Sequence, residues 1–169
     1  MIRALVCLLL LALPAQAELK IQKVTSPGGI TAWLVEDHNI PFTALEIQFR
    51  GGTSLDAPEK RGAVNLMTAL IEEGAGAMDS RAFAEARDGL AADFHFDAYD
   101  DSVGVSARFL TENRAAAVDL LRAALVQPRF DQDAVDRVRE QVLSILRANA
   151  KDPSVIASTQ FDALAFGDH

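Results

Sequence analysis

Three histidines, His38, His95 and His169, are the only imidazoles in 169 residues, and they stand far apart. A zinc ion held on one helix needs two donors about one turn apart, so that both point to the same side. Neither His-x-x-x-His nor His-x-x-Glu-His occurs anywhere in the chain. His38 sits between Asp37 and Asn39 and reads as a solvated turn residue. Asp93-Phe94-His95-Phe96-Asp97 has more potential. On a strand the period of two puts Asp93, His95 and Asp97 on one face and the two phenylalanines on the other. That polar face could hold a metal or a hydrogen-bonded pair; the expectation is the solvated side of an amphipathic strand. Cys7 is the single cysteine and lies in an N-terminal apolar run, which leaves no thiolate site or cysteine nucleophile in the remainder. There is no Gly-x-Ser-x-Gly elbow and no Gly-x-x-x-x-Gly-Lys phosphate loop. Of the carboxylate pairs, Glu72-Glu73 reads as a helix end and nothing more, and Asp100-Asp101 as a solvated turn.

The elements that must position these residues follow from periodicity. Ile21 to Val24 is short and alternating, Ile30 to Glu36 is rich in β-branched and aromatic residues, and across the turn at Pro27-Gly28-Gly29 the two should pair as a hairpin. Phe42 to Arg50 places Leu45, Ile47 and Phe49 on one face. Gly62 to Glu73 is a helix with Val64, Met67 and Ile71 on one side and Leu66 and Leu70 beside them, stopped by Gly74 and Gly76. Ser80 is the expected N-cap of a helix over Arg81 to Ala91. Strands over Asp93 to Tyr99 and Ser102 to Phe109 flank Asp100-Asp101. Thr111 to Val126 and Asp131 to Ala150 are helices, the second burying Val135, Val138, Val142, Ile145 and Leu146. Asp152-Pro153 reads as an N-cap and first helical residue of a last helix, Ser154 to about Phe166. Strands and helices do not alternate one to one, so the expected fold is α+β, with a largely antiparallel sheet and helices packed on it.

The first seventeen residues read as an export signal. Arg3 is the positive n-region, Ala4 to Leu13 is too short an apolar run to span a bilayer, and Ala15-Gln16-Ala17 is a small-x-small cleavage site. The expected mature chain runs from Glu18 to His169 as one domain, periplasmic or secreted. The whole chain carries a net charge of −8. Loss of Arg3 makes the mature part more acidic still, which argues against nucleic acid and anionic membrane as partners. No second apolar stretch is long enough to cross a membrane.

Taken in order, these segments resemble the N-terminal domain of the pitrilysin/insulinase family of zinc peptidases. The opening hairpin with VEDHNIPF resembles that family's first two strands. IQFRGGTSLDAPEKRGAVNLMTALIEEGAG resembles its third strand, glycine turn and active-site helix. The segment from Arg81 to Leu146 follows its order of helix, hairpin and two helices, with QPRFDQDAVDRVR as a typical phrase, and FGDH resembles the start of a further family segment. The resemblance implies a fold and a chemistry. In that family a helix bearing His-x-x-Glu-His holds zinc through its two histidines, while the glutamate activates the zinc-bound water. Matching Gly62 and Gly74 to the family's flanking glycines puts this motif on Asn65-Leu66-Met67-Thr68-Ala69. Asn65 and Ala69 then replace the two histidine ligands, and Thr68 replaces the base. The third ligand, a glutamate on the later long helix, falls at or next to Ile145, with Glu140 the nearest carboxylate but on another side of the helix. Neither Ala nor Ile can bind a metal, and a catalytic zinc normally has three protein ligands. The implied assignment is therefore no catalytic, cofactor-binding or metal residue.

Three functions compete. The first is a non-catalytic subunit that shapes the substrate chamber of a periplasmic peptidase. Its partner would be an active zinc-peptidase homologue or a second domain of its own that is absent after His169, and its substrate a peptide or protein. The second is a stand-alone periplasmic binding or scaffold protein. The third, least favoured, is a zinc peptidase with displaced ligands, using His95 with Asp93 or Asp97.

Overall fold

The computed structural model describes residues 20–167. The leader, Met1–Ala17, and the third histidine, His169, lie outside the described residues. Two compact units divide the chain, one within Met1–Ile40 and one within Pro41–His169. In the first, β1 (Ile21–Thr25) and β2 (Thr31–Val35) form the expected antiparallel hairpin, Ile21 facing Val35 and Thr25 facing Thr31. Ser26 closes its turn by accepting the Ile30 N–H on its hydroxyl at 3.1 Å, and Gly29 supplies the positive φ of 86° that the turn requires.

The second unit is built on a three-stranded antiparallel sheet of β3 (Phe42–Arg50), β6 (Asp93–Ala98) and β7 (Ser102–Leu110), in the order β3-β7-β6. β3 lies against β7 with Ile47 opposite Val105, and β6 lies against β7 with Phe96 opposite the same valine. The alternation read from the sequence is real. Leu45, Ile47, Phe94, Phe96, Val105, Ala107 and Phe109 gather on one face, where they meet helices. α2 (Ser80–Gly89) brings Phe83, and α3 (Arg114–Val126) brings Ala117, Leu120, Leu121 and Ala124. Phe83, Phe94, Val105 and Phe109 are fully enclosed. Each such side chain contributes on the order of 1.5–3 kcal/mol on leaving water.

α1 (Ala63–Leu70) ends three residues before the sequence suggested. The chain tightens at Ile71, whose N–H reaches Thr68 O, and then turns into a miniature hairpin of β4 (Gly74–Ala75) and β5 (Met78–Asp79). Gly74 makes that possible: its φ is 127°, and a Cβ there would lie 2.9 Å from Met78 O. The α2 cap is Asp79 and not Ser80. The Asp79 carboxylate accepts the Ala82 N–H at 2.8 Å, while the Ser80 hydroxyl turns to another partner. α3 is preceded by a single tight turn over Thr111–Asn113.

α4 (Gln132–Asn149) buries less than expected. Ala134 and Val138 are enclosed with Leu70 of α1, and Leu66, Val135 and Val142 pack around them. Ile145 and Leu146, expected on the buried side, are 59% and 56% exposed. Periodicity identifies the apolar stripe of a helix but not how far along it a neighbour extends, and among the described residues no α4 side chain beyond Val138 is buried. α5 (Pro153–Phe166) begins as read from the sequence: Asp152 caps it by accepting the Ser154 and Val155 N–H groups. No α5 residue is buried.

The passage from β3 to α1 positions everything that follows. The Gly51, Thr53 and Ser54 N–H groups donate to the carbonyls of Asp101, Tyr99 and Asp100 at 2.8–2.9 Å. Asp56 then reaches forward and accepts the Gly62 N–H at 2.7 Å and the Val64 N–H at 3.1 Å, capping α1 from outside. At Gly52 a Cβ would stand 1.9 Å from Tyr99 O and 2.7 Å from Ser102 N, both backbone atoms that cannot move aside alone. Gly52→Ala is expected to destabilise the protein more than Asp56→Ala, whose lost cap should cost about 1 kcal/mol. Chemical denaturation of the two variants beside the wild type checks the order.

Candidate functional site

The positions that the family resemblance singles out lie on α1 and on α4, with charged residues gathered around the C-terminal end of α1. Asn65 and Ala69, four residues apart on one helix face, are both exposed. Thr68 is buried, at 5% exposure, and its hydroxyl donates back to Asn65 O at 2.9 Å, so its polar atom is satisfied without a ligand. Ile145 stands exposed on α4, and Glu140 of the same helix faces Arg147 at 3.8 Å. A zinc ion at these positions would find one amide and one internally bonded hydroxyl, with hydrocarbon at the other two. The residues do not fit the ion. Among the described residues no group of three or more His, Cys, Asp or Glu side chains converges as a metal site.

Of the other candidates, Asp93 and His95 are brought together. His95 Nε2 lies 3.1 Å from Asp93 Oδ2, and both are well exposed on the solvent face of β6, opposite the buried Phe94. Asp97 shares their face. His38 is exposed in its turn, 3.5 Å from Glu36. Asp100 and Asp101 do more than stand in water: their carboxylates accept the Thr53 and Ser54 hydroxyls at 3.1 and 3.2 Å, tying the β6–β7 turn to the glycine passage.

The largest departure from the sequence reading is Glu72-Glu73. These two residues are the electrostatic centre of the region. Glu72 pairs with Arg87 of α2, both half-buried. Glu73 receives Arg137 of α4 on both oxygens, at 3.0 and 2.6 Å, and the Ser80 hydroxyl at 2.6 Å. Burial pushes the Glu72 carboxyl above the usual carboxylate range, against the pull of Arg87. His95 and Asp93 lie close enough to act on it in opposite senses. The Arg137 guanidinium, aided by the Ser80 hydroxyl, holds Glu73 below that range. Adjacent carboxylates are thus driven apart, one by desolvation and one by a cation. Nothing local in the sequence announces this, because the partners lie 15 and 64 positions away. The only available signal was two acids at a helix end in a chain with arginines on later helices.

The two shifts have opposite consequences for stability. A lowered native pKa means that ionised Glu73 stabilises the fold above the ordinary carboxylate value, and that this contribution is lost as pH falls through the native value. A raised native pKa means that Glu72 favours the fold below the ordinary value, and that this advantage is lost as pH rises through the native one. The stability difference between wild type and Glu73→Gln should therefore be largest near neutrality and close on acidification. Urea titrations from neutral to acid pH read it directly; a difference that grows toward acid pH would contradict the assignment.

Comparison with known proteins identifies the family. The model of the insulinase family, peptidase family M16, matches residues 31–168. A protein of Helicobacter pylori (strain ATCC 700392 / 26695) named non-peptidase homolog YmxG is 27% identical over 122 residues, which cover 72% of this chain and 28% of that one. The crystal structure of a peptidase M16 inactive domain from Pseudomonas fluorescens superposes with a TM-score of 0.78 at 28% identity, over 86% of this chain and 35% of that one. Pitrilysin shares the fold, with a TM-score of 0.67 at 16% identity, over 82% of this chain and 15% of that one. The chain thus spans about a third or less of the length of each of these proteins.

Proposed function

Because this chain belongs to the insulinase family of peptidases, M16, we propose that it is a non-catalytic member that supplies wall and not chemistry to a peptidase chamber. The observation that carries this reading is the donor set on α1 and α4: Asn65, Thr68, Ala69 and Ile145 stand where the family resemblance places two ligands, a base and a third ligand. The names of two similar proteins, one an inactive domain and the other a non-peptidase homolog, support it. The partner is an active M16 chain, or a second M16-type domain, that holds the zinc and cuts the peptide. The substrate is a peptide or protein enclosed between them.

The place of action we assign is the periplasm. The leader Met1–Ala17 supports export, and Glu18–His169 is read as the peptidase-like N-terminal domain. The absence of cysteine after residue 17 suits a fold that needs no disulfide.

Reconstitution tests the function. The purified protein should hold less than stoichiometric zinc by elemental analysis and cleave no peptide alone. It should raise peptide turnover when mixed with an active M16 homologue from the same organism. Zinc at one ion per chain, or chelator-sensitive cleavage by the isolated chain that His95→Ala abolishes, would overturn it. A mixture no more active than the homologue alone would remove the chamber role and leave a free-standing binding protein.

A further inference from the structure

α4 has little to hold it. Of its 18 residues only Ala134 and Val138 are buried, and their enclosed partner is Leu70 of α1, with Leu66 alongside. Such a small apolar cluster sets the distance between two helices but leaves rotation about the contact cheap, because apolar contact is non-directional. The neighbouring polar contact is directional. Glu73, three residues past the end of α1, has a side chain only 17% exposed and receives both terminal nitrogens of Arg137. Its Oε2 also takes the Ser80 hydroxyl from the first residue of α2. One carboxylate therefore joins the ends of α1 and α2 to α4, and Arg137 is the immediate neighbour of Val138. A guanidinium fork on two carboxylate oxygens fixes an angle as well as a distance.

We propose that the Glu73–Arg137 fork is a metal-independent clasp that fixes the rotation of α4 on α1. It does the mechanical work of a cross-link between two helices on which, among the described residues, no group of three metal-binding side chains converges. A wall that contributes only shape needs such a fixture, since a drifting α4 would carry α5 with it. The inference rests on the reading that α1 and α4 bind no metal, and the experiment separates the two.

The test is amide hydrogen exchange on the purified full chain, with and without chelator, for wild type, Glu73→Gln, Arg137→Met and the double variant. Both single changes are close in volume to the native residue, and Arg137→Lys serves as the conservative check, keeping the charge and losing the fork. Each single variant should speed exchange in residues 70–73 and 134–138 about tenfold, the scale of one charge-assisted hydrogen-bonded pair. The double variant should be no faster than either single one, because one interaction is lost in all three. Arg137→Lys should fall between wild type and Arg137→Met. Chelator should change nothing. If the single effects multiply in the double variant, or if neither variant moves exchange in these residues, there is no clasp. If chelator alone speeds exchange in wild type, a metal is the cross-link, and the metal-free reading fails with it. Chelator insensitivity with unmoved variants would sink the clasp alone.

Discussion

Between the end of β3 and the start of α1 the chain passes so close to the Tyr99–Asp101 turn that three successive carbonyls there each accept an N–H from residues 51–54. At Gly52 that approach excludes even a methyl group. Backbone polar groups brought this near to one another must be paired, and here they are, so the approach is self-consistent only in one register. Its consequence is directional. It settles where the sheet releases the chain, and Asp56 then settles where α1 begins. Those two points place the end of α1, and with it the two glutamates that reach α2 and α4. The two paired glutamates are downstream of a glycine.

That arrangement leaves the fold largely indifferent to the residue types at positions 65 and 69. Asn65 and Ala69 are exposed, so their side chains contribute nothing to the core. Thr68 is the one enclosed position among the four, and its hydroxyl finds an acceptor within its own helix, which avoids an unpaired polar atom. What holds the region is elsewhere: the packing of Leu66 and Leu70 on α4, and the carboxylates past the helix end. The exposed positions and the residues that hold the region are thus different members of the same nine-residue stretch, Asn65 to Glu73.

How much of this could be read beforehand varies with the kind of interaction. The hairpin, the three sheet strands, the two-sidedness of Asp93–Asp97 and the Asp152 cap were legible because each depends on spacing within a few residues. The Asp79 cap was missed by one position, since Asp and Ser are both good caps and the choice turned on Ser80 being taken by Glu73. The early end of α1 was missed because the β4–β5 hairpin is four residues of Gly, Ala, Met and Asp, with no alternation to see. Ile145 and Leu146 carry the right periodicity for a core, but among the described residues no neighbour encloses them. The pairing of Glu72 with Arg87 and Glu73 with Arg137 is tertiary in origin, and no window along the sequence contains it.

α5 shows what such a neighbour would mean. It is well started by Asp152 and Pro153, yet none of its fourteen residues is buried, and Phe161, Leu164 and Phe166 face water. A helix of this length has a helix–coil equilibrium close to balance in water, because nucleation is costly and each further residue gains little. Its order is therefore conditional. Any apolar surface laid against α5 must offset the entropy of holding it helical before any of the contact registers as affinity. For each unit of area covered, it will be bound less tightly than a helix already fixed by its own protein.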